Sequence, residues 1–175
     1  MSTNPAIPRD LVHRLSEECA EQSANFQTAA RRILEDQARL TRFFKANVRS
    51  MQGQSGEVSV YLLAVIVRIY QKCGGRLARV AAPEIEAATA RVMAVGKGLM
   101  PGDAGFPTRV RAIEWRAQPH ILDEALHALF EREEKKEAEV DVADDQAVLI
   151  FFMLWAATEA LNDAWQAPEH PDWAV

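Results

Sequence analysis

The longest regular pattern of apolar positions runs from Asp10 to Met51, a stretch that contains neither glycine nor proline. Twelve near-heptad positions, spaced about 3.5 residues apart, form one stripe, and nine of them are apolar, as on an amphipathic helix. The stripe consists of Val12, Leu15, Cys19, Gln22, Phe26, Ala30, Ile33, Gln37, Leu40, Phe44, Asn47 and Met51. The stretch is therefore predicted to form a long N-terminal helix.

The length of this first helix conflicts with the size of the protein. A straight helix from Asp10 to Met51 would extend for about 60 Å at about 1.5 Å per residue. A compact domain of 175 residues has a radius of gyration of only about 16 Å. We therefore expect the helix to break near residues 23–25, or its far end to pack against a second copy of the chain.

Two later segments are apolar on nearly every side. The segment between Ser55 and Gly74 has two apolar faces, and the run from Val148 to Ala157 contains no polar residue. Because helices of that kind belong at the centre of a bundle, these two, the second and the fifth, are predicted to form the buried pair. Pro83 and Pro119 each mark the start of one further helix.

The pattern as a whole predicts an all-α fold, a single-domain bundle of about five helices over residues 1–175. The glycine- and proline-rich run 101–107 is a loop, and Thr108–Arg116 fits either a short helix or an extended piece. The charged run Glu131–Glu139 is predicted to be the solvated end of the fourth helix. Residues 1–8 and 168–175 are predicted to be loose termini.

Composition and targeting signals change this picture little. The two cysteines, Cys19 and Cys73, form no CxxC pair and are expected to be small buried side chains. The first ten residues have no apolar core of a secretory signal, and the apolar run from Val58 to Val67 is too short to span a membrane. We therefore expect a cytoplasmic protein with no membrane partner.

Charge is distributed unevenly along the chain. Residues 1–116 carry a net charge of +6 and residues 117–175 a net charge of −11. We expect the acidic residues after Gln118 to pair, inside the fold, with the basic stretch from Arg31 to Arg79. The rival interpretation is a basic face for nucleic acid, which the sequence pI of about 5.4 disfavours. That face would include Arg39, Arg42 and Arg49.

Four residues of the fourth helix are weak candidates for metal ligands: His120, Asp123, Glu124 and His127. Glu124 and His127 form an ExxH element like those of di-iron bundles, but such a site needs a second ExxH and further inward carboxylates. Helical phase places the four residues opposite the apolar face of their helix. We therefore expect them to face solvent and to bind no metal tightly.

No motif in the chain indicates catalysis or a bound cofactor. The sequence contains no GxSxG, Walker A or GxGxxG pattern. Cys19 lies among glutamates, which disfavour the thiolate, and nothing in the sequence supplies a base for Cys73. We therefore expect no catalytic residue and no cofactor.

The absence of such motifs favours a non-enzymatic protein that acts by protein–protein contact. If the first helix extends beyond the domain and packs on a second copy of the chain, the protein would be a homodimer. Trp165 and Trp173, near the proline-rich end, fit either an exposed interface or a lid on the helix ends. The alternative is an enzyme or a small-molecule-binding bundle with a polar cavity between the second and fifth helices. The residues expected to line that cavity are Tyr61, Arg68, Glu159 and Asp163, with Arg68 paired to Glu159.

Overall fold

The computed structural model describes residues 4–51, 53–132, 142 and 144–174, and this part of the chain is mostly helical. Its helices are α1 (Arg9–Glu21), α2 (Ser23–Asp36), α3 (Ala38–Val48), α4 (Ser55–Lys72), α5 (Ala82–Leu99), α6 (Phe106–Arg111), α7 (Pro119–Leu126) and α8 (Asp144–Ala164). A π-helical turn, His127–Glu131, continues α7. Two short strands, β1 (Arg76–Leu77) and β2 (Trp165–Gln166), pair antiparallel. The all-α prediction is confirmed, whereas the prediction of five helices is wrong because the described residues form eight α-helices.

Most of the excess comes from the long N-terminal stretch, which forms three helices. The first break lies at Gln22, next to the predicted position, and the second lies at Gln37, where none was predicted. The side-chain amide of Gln37 donates to the carbonyl of Ala78 and accepts from the backbone N–H of Val80, both over 3.0 Å. These bonds stabilise the second break, because they tie the stripe glutamine to the segment after β1.

The apolar stripe survives both breaks. Phe26, Ile33, Leu40 and Phe44 are all buried, and α1, α2 and α3 each pack against α4. The N-terminal helices therefore wrap around α4 as a bent layer rather than projecting from the fold as one rod.

The two most apolar helices are central, as their sequences predict. In α8 most residues from Ala147 to Asn162 are buried, and α8 packs against α4, α5 and α7. By length and composition α8 is the described helix that could cross a membrane, with a mean hydropathy of 1.4, but 83% of that segment is buried inside the fold. Its apolar character is thus accounted for by packing within the protein.

A further helix, α6, begins at Phe106, within the predicted 101–107 loop, and extends into the ambiguous segment 108–116. Pro107 lies in its first turn, where a missing N–H costs nothing, and Phe106 is fully buried. The Phe106 ring packs against Phe130, Phe151 and Phe152 at centroid distances of 5.0, 5.8 and 5.9 Å. The fourth predicted helix ends within the described residues at Glu131, and the charged run beyond residue 132 lies outside them.

Both ends of the described chain contact the helices. The Asn4 side chain donates to the carbonyl oxygens of Asn162 and Trp165, and the Trp173 indole donates to the carbonyl of Cys73. Ile7 is fully buried. The sequence predicts loose termini at residues 1–8 and 168–175. The contacts above are made by the described parts of these termini, residues 4–8 and 168–174.

We predict that Gly75→Ala destabilises the protein by about 2 kcal/mol or more. Gly75 has φ +75°, and an added Cβ would overlap the carbonyl oxygen of Gln166 and lie 3.0 Å from the carbonyl carbon of Ala167. Gly98→Ala is the matched control, because nothing lies within 4 Å of its Cβ position in α5. That change should be neutral or stabilising by up to about 1 kcal/mol. Urea unfolding of both variants measures the difference; equal stabilities would contradict the observed approach of β1 and β2.

Candidate functional site

A cleft with an apolar lining lies between α1, α4 and α7. It has a volume of about 150 Å³ and is open to solvent on one side. Its floor is aliphatic, and polar side chains surround its mouth. The floor includes Leu62, Val65, Ile66, Ile69, Ile121 and Ala125, and the mouth includes His13, Ser16, Glu17, Tyr61, Glu124, His127 and Arg132. An apolar cavity with a few convergent polar groups is the usual form of a ligand site.

Helix α1 and the end of α7 position the polar groups of this mouth. The Nδ1 atom of His13 lies 3.2 Å from the Oε1 atom of Glu124, which joins the two helices. His127 belongs to the π-helical turn that follows α7. Tyr61 projects from α4 with 42% of its surface exposed, and its ring packs edge-on against Phe26 at 5.6 Å. The sequence pattern did not identify His13, Glu17 or Arg132, because only the fold brings α1 and α7 together.

Beside the cleft, the Asp123 carboxylate forms ion pairs with three arginines. Its carboxylate lies 2.9 Å from a guanidinium nitrogen of Arg116, 3.1 Å from one of Arg9 and 3.5 Å from one of Arg111. The Arg116 side chain is only 8% exposed, and it also donates to the carbonyls of Ile113 and Arg111. Arg111 in turn pairs with Glu131, whose pKa is lowered mainly by that hydrogen-bonded guanidinium. This cluster fixes the loop after α6 to α1 and α7.

The four candidate metal ligands are not brought to one point. Asp123 faces the arginines, Glu124 faces His13, and His127 lies at the mouth of the cleft. The Nδ1 atom of His120 is buried and has no hydrogen-bond partner among the described residues. Within the described ranges, no three His, Cys, Asp or Glu side chains are grouped to hold a metal ion. The expectation that all four would face solvent is wrong for Asp123, whose side chain is 14% exposed, because α1 and the α6–α7 loop pack over it.

The four residues predicted to line a polar cavity between α4 and α8 have separate surroundings in the structure. Tyr61 lines the cleft beside α1, and Asp163 is exposed and lies 3.5 Å from Arg91 of α5. Glu159 is buried and accepts hydrogen bonds from the Ala117 N–H at 3.0 Å and the Trp155 indole at 3.2 Å. Arg68 forms no ion pair with any described carboxylate, so the predicted Arg68–Glu159 pair is wrong.

Burial controls the protonation of the groups in this interior. It raises the pKa of Glu159, with a smaller rise from Asp163, against the lowering effect of the two hydrogen bonds and Arg91. It also raises the pKa of Cys73 to about 11. The pKa of Cys19 rises for the same reason, although Arg68 and Lys72 lower it. Both cysteines are buried, as predicted, and neither thiol is poised as a thiolate.

The two late tryptophans pack on each other rather than forming an exposed pair. Trp165 is 2% exposed, and its indole donates to the Gly74 carbonyl. The Trp173 ring stacks on Trp165 with a centroid distance of 6.4 Å. Trp165 therefore belongs to the interior, and Trp173 covers it, as in the lid interpretation.

Exposed basic side chains form a basic surface along α2, α3 and the segment after β1. We define this basic surface as Arg31, Arg32, Arg39, Arg42, Lys45, Arg49 and Arg79, all of which are exposed. At about 100° per residue, the arginines at positions 39, 42 and 49 fall within about 80° of the α3 circumference. Glu35, Asp36, Arg39 and Arg79 line one shallow depression of this surface.

The acidic residues after Gln118 do not neutralise this surface within the described part of the chain. None of its seven basic side chains forms an ion pair with a described carboxylate. Asp123, Glu131 and Asp163 pair instead with arginines of α1, α5, α6 and the α6–α7 loop. The predicted internal pairing is therefore wrong for these residues, because the N-terminal layer turns its basic face away from α8.

Comparison of the chain with protein-family models, with curated proteins and with solved structures finds no match.

We predict that Asp123→Ala lowers the free energy of unfolding by about 3 kcal/mol, because it leaves the buried Arg116 guanidinium without its carboxylate. Asp163→Ala is the matched control: it removes an ion pair in which both side chains are about half exposed, 47% and 44%. That loss should stay within about 0.5 kcal/mol. Chemical denaturation of the two variants makes the comparison, and an Asp123→Ala protein as stable as the control would refute the role given to the cluster.

Proposed function

We propose that this protein acts by protein–protein contact and that its basic surface binds an acidic protein. The observation that carries the proposal is the set of seven exposed basic side chains on α2, α3 and the segment after β1 without a described ionic partner. Glu35 and Asp36 are the acidic residues within the same stretches, so this face is strongly positive on a chain whose net charge is −5. Such a local field attracts an acidic patch and speeds its association.

Two features favour an acidic protein over a nucleic acid as the partner. The phenylalanines of α3 offer little surface for stacking on bases, because Phe44 is fully buried and Phe43 is partly buried with its ring edge-on to Phe44. The negative charge of the remainder of the chain would repel a phosphate backbone, whereas a protein with one acidic patch contacts only the basic face.

A second copy of this chain also meets the requirement for an acidic partner, because residues 117–175 carry a net charge of −11. The proposal therefore includes self-association, and a dimer that dissociates as salt is raised would identify the partner as this chain. The two free, buried cysteines fit a reducing compartment, and we propose the cytoplasm as the place of action.

A charge-reversal experiment tests the basic surface. The triple variant Arg39→Glu, Arg42→Glu and Arg49→Glu should bind a labelled Glu-rich helical peptide at least about tenfold more weakly than the unaltered protein, a loss of about 1.4 kcal/mol. Fluorescence anisotropy at low and moderate salt gives the affinities, and raising the salt should weaken binding of the unaltered protein.

The matched control reverses three exposed basic residues outside the surface, with Arg14→Glu, Lys72→Glu and Lys97→Glu. It has the same change in net charge and should retain the peptide affinity within about twofold. An equal loss in both triple variants would show a nonspecific charge effect and contradict the proposal. Tighter binding of a mixed-sequence DNA duplex than of the peptide, with a steep salt dependence, would favour nucleic acid instead.

A further inference from the structure

The cleft between α1, α4 and α7 lies apart from the basic surface and shares no residue with it. Its aliphatic floor comes from two helices, α4 and α7, and its mouth carries hydroxyl, imidazole and carboxylate groups from three. The composition of the cleft therefore points to a small molecule with an apolar body and a polar end.

The backbone at the mouth gives a second, independent indication. After Leu126 the chain leaves α-helical geometry for the π-helical turn His127–Glu131, and His127 and Ala128 of this turn line the cleft. A π-helical turn is less stable than the α-helix it replaces and occurs frequently at functional sites. Here the turn places the His127 imidazole at the mouth, beside Tyr61 and Arg132.

The volume of the cleft sets the size of the apolar body. An apolar cavity of about 150 Å³ accepts one benzene-sized ring, and this cleft has that volume. The floor side chains Val65, Ile66 and Ile69 offer only methyl and methylene groups to such a ring. The floor of the cleft therefore accommodates a single six-membered ring.

The charges at the mouth of the cleft favour a ligand whose polar group is neutral. The Glu124 carboxylate already has the His13 imidazole at 3.2 Å. Glu17 and Arg132 line the same mouth and carry opposite charges, one carboxylate and one guanidinium. A ligand with a net charge would gain little from this balanced mouth and would lose hydration, whereas one hydroxyl or carbonyl group finds donors and acceptors at Ser16, Tyr61 and His127.

We propose that this cleft binds a small neutral ring compound, aromatic or alicyclic, that carries one hydroxyl or carbonyl group. The ring lies on the aliphatic floor, and the polar group forms hydrogen bonds at the mouth.

Binding of phenol, with benzoate and benzylamine as charged analogues of similar size, tests this inference on the full chain. Ligand-observed NMR titration should give saturable phenol binding with a Kd of about 1 mM or tighter. Both charged analogues should bind at least about tenfold more weakly. Tyr61→Phe should weaken phenol severalfold and leave benzene unaffected, a difference that a purely structural role of Tyr61 would not produce.

Two substitutions at exposed alanines provide the steric test. Ala20 lines the cleft, so Ala20→Trp should reduce phenol affinity by at least about tenfold. Ala94, exposed on α5, gives the control Ala94→Trp, which should bind phenol as the unaltered protein does. Absence of saturable phenol binding, equal affinity for a charged analogue, or full affinity in Ala20→Trp would each overturn the proposal. None of these results bears on the acidic partner, because the basic surface is unchanged in every variant.

Discussion

The burial of two nearly all-apolar helices, α4 and α8, is the constraint on which the rest of this structure depends. Neither helix has a polar side that can face water for its full length, so each needs cover from several directions. Helix α5 packs along α8, whereas α1, α2 and α3 together cover α4. The loops, the short β1–β2 pair and the contacts of both chain ends cover the remaining surface of these helices. At about 25 cal/mol per Å² of apolar surface, this burial is the dominant favourable contribution to folding.

The same constraint explains the surfaces proposed for function. A layer that wraps α4 turns its apolar stripe inward, and helical periodicity then places the arginines of α3 on the outer side. The cleft arises where α1 and α7 meet over α4 without filling the space between them. The two surfaces proposed for function, the basic surface and the cleft, therefore lie on the outer side and at one edge of the N-terminal layer. The centre of the protein contributes stability.

The sequence was most informative where one residue pattern decides the outcome. The apolar stripe and the central position of the two apolar helices follow from periodicity. Length predicted either a break near residues 23–25 or a second copy against the overhang, and the structure has the break at Gln22. The break at Gln37 does not, because its partners Ala78 and Val80 lie about forty residues away. The Arg68–Glu159 prediction failed because sequence does not give the rotation of one helix relative to another: Glu159 faces Trp155, whereas the charge of Arg68 acts on Cys19 of α1. The cleft could not be predicted for the same reason.

The central claim is that α4 and α8 form a core that opens only when the whole protein unfolds. Native-state hydrogen exchange measures this directly, residue by residue, as denaturant is raised. The account predicts that amides in the middle of both helices, around Val67 and Leu154, exchange only through global unfolding. Amides on the outer turns of α2 and α3 should exchange through smaller, local openings. Exchange of the α8 amides at the rate of the outer helices, well below the global free energy, would contradict it.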